Sequence, residues 1–95
     1  MGAETFIHER TGETNARDAF KAAREEALYN HGHNGYTGTI AEKDSFVVLP
    51  CIEGKTPRDS FFDVYIDDPR IYDKYGPAGC IETENGFVFF GWAAC

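Results

Sequence analysis

The chain has few basic residues. Nine Lys and Arg stand against 16 Asp and Glu, giving a formal charge of −7 and a pI near 4.8. A surface of that sign repels phosphate backbones and anionic headgroups, so neither direct nucleic-acid binding nor attachment to a membrane surface is expected. Basic protein surfaces or cations are the partners it favours. Cysteine is also scarce: Cys51, Cys80 and Cys95 are odd in number and lack CxxC spacing, which predicts a reduced, cytoplasmic protein without a disulfide framework. No apolar run approaches the length that crosses a bilayer. The first residues, MGAETFIHER, hold no apolar leader core, and Phe6 stands where myristoylation wants Ser or Thr. Repeats, linkers and low-complexity segments are missing too. The glycine-rich stretch HGHNGYTGTIAEK at 31–43 lacks the GK[ST] ending of a phosphate-holding loop and precedes a predicted strand instead of opening a helix.

What is present is a core. Apolar residues make up 42% of the chain and aromatics 15%, with eight Phe, five Tyr and Trp92, which is too rich for disorder. Ninety-five residues suffice for one compact domain, residues 1–95, and for one core.

The order of elements follows from local pattern. ETFIHE at 4–9 alternates as a strand and breaks at Thr11-Gly12. Asn15 is a helix N-cap with Asp18 in the first turn, and Ala16, Phe20, Ala23 and Ala27 recur on one face of a helix that runs to His31. Gly32 suits its C-terminal cap. Residues 36–42 and SFVVLP at 45–50 read as an antiparallel hairpin turning at Lys43-Asp44. SFFDVYID at 60–67 reads as a strand with Phe62, Val64 and Ile66 toward the core and Phe61, Asp63 and Tyr65 outward. Asp68-Pro69 resembles a helix start, predicting a short helix that ends at Gly76-Pro77. GCIETE, Asn85-Gly86 and FVFFGWAA form a hairpin with an Asn-Gly type I′ turn. Its last strand is apolar on both faces and is expected to be central or covered. The sum is an α+β domain: one main helix packed on a mostly antiparallel sheet of five to six strands, plus one short helix.

Two sets of residues carry candidate chemistry. His31 and His33, with His8 or a cysteine as third ligand, suit zinc, copper or nickel, and would mark a small metal- or cysteine-dependent enzyme. The bland reading of the same histidines is a favourable interaction with the negative end of the helix dipole, and no metal or other cofactor is assigned. The second set is acidic and aromatic. Phe61, Asp63, Tyr65, Asp67, Asp68, Tyr72 and Asp73, with Tyr75 beside them, would form a partner-binding surface in which aromatics supply rigid contact area and carboxylates steer a basic partner. The alternative is that the aromatics pack beneath the short helix and the acids form a solvated face.

Three segments, HGHNGYTGTIAEK, KYGPAGCI and FGWAAC, together resemble a group of small uncharacterised proteins encoded by bacteriophages and mobile elements. The resemblance implies a genomic setting, with the host cytoplasm as compartment, and transfers no functional residue. A small acidic protein in that setting looks like an accessory factor that binds a host protein, inhibition of a host or defence complex being one concrete form. The competing expectations are the small enzyme around His31 and His33, and a virion or assembly component. In the latter, the apolar C-terminal strand would provide a homo-oligomer contact.

Overall fold

The computed structural model describes residues 2–32 and 35–95. Its elements run β1 (Ala3–Thr11), α1 (Ala16–His31), β2 (Phe46–Val48), α2 (Pro57–Asp63), β3 (Ala78–Glu82) and β4 (Gly86–Ala94), with 3-10 turns at Ile40–Glu42 and Tyr65–Asp67. The class is α+β as expected, but the sheet has four strands in the order β1-β4-β3-β2 and is mixed, since β2 pairs parallel with β3 while the other two pairings are antiparallel. None of the described helices is long and apolar enough to cross a membrane.

Local signals explain α1. Asn15 stays extended and its side chain accepts from the Asp18 N–H at 2.9 Å. At the other end Gly32 takes a φ of 86° and its N–H donates to Leu28 O. Ala19, Phe20, Ala23 and Ala27 are buried, and the alanines let the helix lie close on one face of the sheet. There Phe20 meets Phe46 and Phe89 at ring-centroid distances of 5.0 and 5.5 Å. Phe20→Ala should therefore cost about 3–4 kcal/mol by lost burial and the cavity left among these rings. Chemical denaturation measures it, and an unchanged midpoint would show that this face is not the core.

The opposite face of the sheet has its own core. Strand alternation sends Phe87, Phe89 and Ala93 of β4 toward α1, and Val88 and Phe90 toward a second cluster of Leu49, Phe61, Tyr65, Ile71 and Ile81. The strand apolar on both faces thus lies between β1 and β3 and is buried from both sides. Its pairing with β3 covers Phe87 to Phe90, and Trp92 beyond that register is half-buried.

Four local expectations are corrected. Residues 36–42 do not form a strand: the Glu42 carboxylate accepts from the Thr37 N–H and hydroxyl, and the Thr39 hydroxyl accepts from the Ala41 N–H. These side chains satisfy the backbone locally and so compete with a ladder. Residues 60–67 are also no strand. Thr56 caps α2 through the Asp59 N–H, and Pro57 opens it. Helical spacing then places Phe61 and Tyr65, four apart, on the same inward side. The helix expected after Asp68-Pro69 stops at one turn, with Tyr72 N–H donating to Asp68 O and the Asp73 carboxylate taking the Tyr75 N–H. Finally, the β3–β4 turn has Glu84 and Asn85 at its centre, closed by the Thr83 N–H donating to Gly86 O. Neither central residue has positive φ, so it is not a type I′ turn.

Candidate interaction surface

Trp92 sits near the end of β4, on the face away from α1. Its indole N–H donates to Ile66 O at 2.7 Å, which satisfies the one polar atom of the ring and ties the strand to the 3-10 turn at 65–67. The segment after Asp68 then crosses beside it, bringing the Tyr72 ring to 6.1 Å from the Trp92 ring at an angle of 59°. Ala3, Tyr72, Asp73, Lys74 and Trp92 line a cleft of about 490 Å³. Tyr72 is 60% exposed and Tyr75 is 67% exposed. Lys74 lies 5.3 Å from the centre of the Tyr75 ring and donates to Gly2 O at 3.3 Å.

A buried cation holds this segment in place. Lys43 is wholly buried, and its ammonium donates to the carbonyls of Asp73, Lys74 and Gly76 at 3.3, 3.2 and 2.9 Å. Burial pushes its pKa down to about 8, against the attraction of Asp73. The three donors of an ammonium match the three carbonyls, so the loop that carries Tyr72, Asp73 and Tyr75 is fixed from beneath by one side chain.

The residues proposed from sequence separate into three groups. Phe61 and Tyr65 are not surface residues: they are 0% and 4% exposed, and each packs on Phe90 with ring centroids 5.0 and 6.0 Å away. The Tyr65 hydroxyl donates to Pro50 O at 2.6 Å, and burial raises its pKa. Asp63 and Asp68 are on the surface but already engaged. Lys55 meets Asp63 at 2.9 Å. The Arg70 guanidinium and N–H both bind Asp68, holding its carboxyl down at about 2. Asp67, Tyr72 and Asp73 remain exposed. Tyr72 and Asp73 share the cleft, and Asp67 follows Ile66, the residue that anchors Trp92. Trp92 and Lys74 were missed as site residues, although a Trp near a strand end seldom buries fully and its N–H needs a partner.

The metal and thiol chemistry does not assemble from the described residues. His31 is exposed at the end of α1, His33 lies outside the described residues, and His8 bonds Glu26 at 2.6 Å. Among the described residues, no three His, Cys, Asp or Glu side chains are grouped to hold a metal ion. Cys80 is buried in the α1-side core, and burial pushes its thiol up to about 12. That is the opposite of what a thiolate nucleophile needs. The exposed Cys51 thiol donates to Lys55 O at 3.2 Å and lies 3.6 Å from the Ser60 hydroxyl. Compared with protein-family models, curated proteins and solved structures, the chain matches none.

Proposed function

We propose that this chain is a non-enzymatic protein-binding module whose contact surface is the Tyr72–Trp92 cleft with Asp73 in its lining, extended by the exposed Asp67 next to Ile66. The observation that carries this reading is Tyr72, 60% exposed against a Trp ring on a segment that Lys43 clamps from inside. Exposed aromatics on a preorganised backbone supply contact area without an ordering cost on binding. A partner Arg or Lys suits the site chemically, because its cation can lie against the Tyr72 and Trp92 rings while its charge meets Asp73, the chain's own Lys74 being turned onto the Tyr75 ring. The partner is accordingly a protein with a basic surface. In the phage-type setting that the sequence resembles, it is a host or defence protein held by an accessory factor.

Capture from the native host with mass spectrometry identifies the partner, and binding kinetics then test the surface. Tyr72→Ala should cost roughly 2 kcal/mol or more, mainly through faster dissociation. Asp67→Asn should instead slow association and flatten its salt dependence. Binding indifferent to both substitutions and to salt would remove the cleft from consideration.

A further inference from the structure

Among the described residues, no strand pairs with the outer edge of β1. Its nine residues pair with β4 in unbroken register from Ala3↔Ala94 to Thr11↔Gly86. The Cys95 N–H donates to Gly2 O just beyond that register, so even-numbered residues bond β4 while Ala3, Thr5, Ile7, Glu9 and Thr11 direct their N–H and C=O groups outward. Among the described residues, no hydrogen bond reaches those outward groups. The other sheet edge, β2, has three residues and is closely followed by Pro50, the usual ways of blunting an edge. By contrast β1 is long and has neither Pro nor a bulge, and its protection is limited to the charges of Glu4, Glu9 and Arg10.

We propose that β1 pairs antiparallel with β1 of a second copy of this chain, about a two-fold axis at Ile7, extending two four-stranded sheets into one. Ile7 is the midpoint of Ala3–Thr11, so this register alone uses every outward group. With five outward N–H groups on each copy, it forms about ten backbone hydrogen bonds. The same register makes the side chains complementary. On the α1 face, Glu4 stands opposite Arg10 of the second copy, and by symmetry the pair occurs twice; Arg10 already meets its own Glu13 at 2.6 Å and Glu26 at 3.2 Å, so this face is compatible with the pairing and does not drive it. On the other face, Glu9 stands opposite the second copy's Thr5. Thr5 lines a recess of about 180 Å³ with Phe6, Ile7, Arg58 and Phe62, where Arg58 lies 5.1 Å from the centre of the Phe62 ring. Each Glu9 therefore arrives beside an Arg58, again twice. Ile7 meets its own copy on the axis. The self-complementarity of the Glu9–Arg58 face, together with the two-fold match of the outward backbone groups, points to a second copy as the occupant of this edge.

Sedimentation of the full chain over a concentration series tests the proposal, and a dimer is expected within the range up to about 500 µM, as suits a small interface. Thr5→Pro removes an N–H that β4 does not use, so it should leave the thermal midpoint in place and weaken association at least about tenfold. Glu9→Lys and Arg58→Glu should each weaken the dimer about tenfold, and the two together should restore it. A wild-type chain that stays monomeric across that range would overturn the proposal. So would a dimer that survives Thr5→Pro, or one lost on Tyr72→Ala, which would place the contact at the aromatic cleft. Should Thr5→Pro lower the thermal midpoint, the charge exchange decides: failure of the double variant to recover association refutes the β1 pairing.

Discussion

Gly86→Ala should cost about 3 kcal/mol or more of the roughly 5–15 kcal/mol that stabilises a domain of this size. A Cβ at this position would lie 2.0 Å from Arg10 O and 2.9 Å from both Arg10 C and Thr11 Cα. All three are backbone atoms of β1, so no side chain can swing aside. The two strands would have to part at the end of their longest pairing. Asn85→Ala is the informative comparison. If the Asn-Gly pair mattered for turn geometry, losing Asn85 would hurt. With Asn85 exposed and Gly86 outside the left-handed region, it should change stability by about 0.5 kcal/mol or less. Equal effects of the two substitutions in chemical denaturation would contradict the strand-contact explanation.

Lys43→Met should be comparably damaging, at about 3 kcal/mol or more, because methionine keeps the apolar stem but leaves the carbonyls of Asp73, Lys74 and Gly76 without their donor. Amide exchange should show the loss first at residues 72–76, ahead of global unfolding. Proton linkage gives a second signature. The unfolded chain keeps the Lys43 proton to about 10.5, whereas burial lowers the folded value to about 8. Between those values the unfolded state binds more protons, so stability should rise with pH by up to about 1.4 kcal/mol per unit, and this contribution is lost as pH falls through about 8. Taking the difference between wild type and Lys43→Met cancels the other titrations. A difference that stays flat from pH 7.5 to 10 would mean that the ammonium is held by the carbonyls more strongly than burial opposes it.

Loss of the Lys43 clamp should reach the proposed interface as well, through Tyr72 and Asp73, since both stand on the segment it grips. A partner identified by capture should accordingly bind Lys43→Met more weakly, even under conditions where the variant remains folded.

The sequence by itself determined the elements whose causes are local. Asn15, Asp18, Gly32 and the 3.6-residue recurrence of Phe20, Ala23 and Ala27 all act within α1, and the doubly apolar FVFFGWAA required a covered central strand. Thr56-Pro57 with Asp59 was an equally local start signal for α2. Reading 60–67 as an alternating strand instead put the buried Phe61 and Tyr65 outside and the exposed Val64 inside, although Phe62 and Ile66 do pack partly against the same core. Only the tertiary structure decided the rest, because the interacting atoms are distant in the chain. The partners of Lys43 lie 30 to 33 residues away, so nothing around Lys43-Asp44 distinguishes a buried clamp from a polar turn. The need for glycine at 86 comes from Arg10 O on another strand. Trp92 and Tyr72 meet only because β4 and the loop after Asp68 converge on one side of the sheet. Local propensity chooses conformations, but burial and contact depend on which segments the chain brings together, and that choice is made by the packing of both faces of β4 at once.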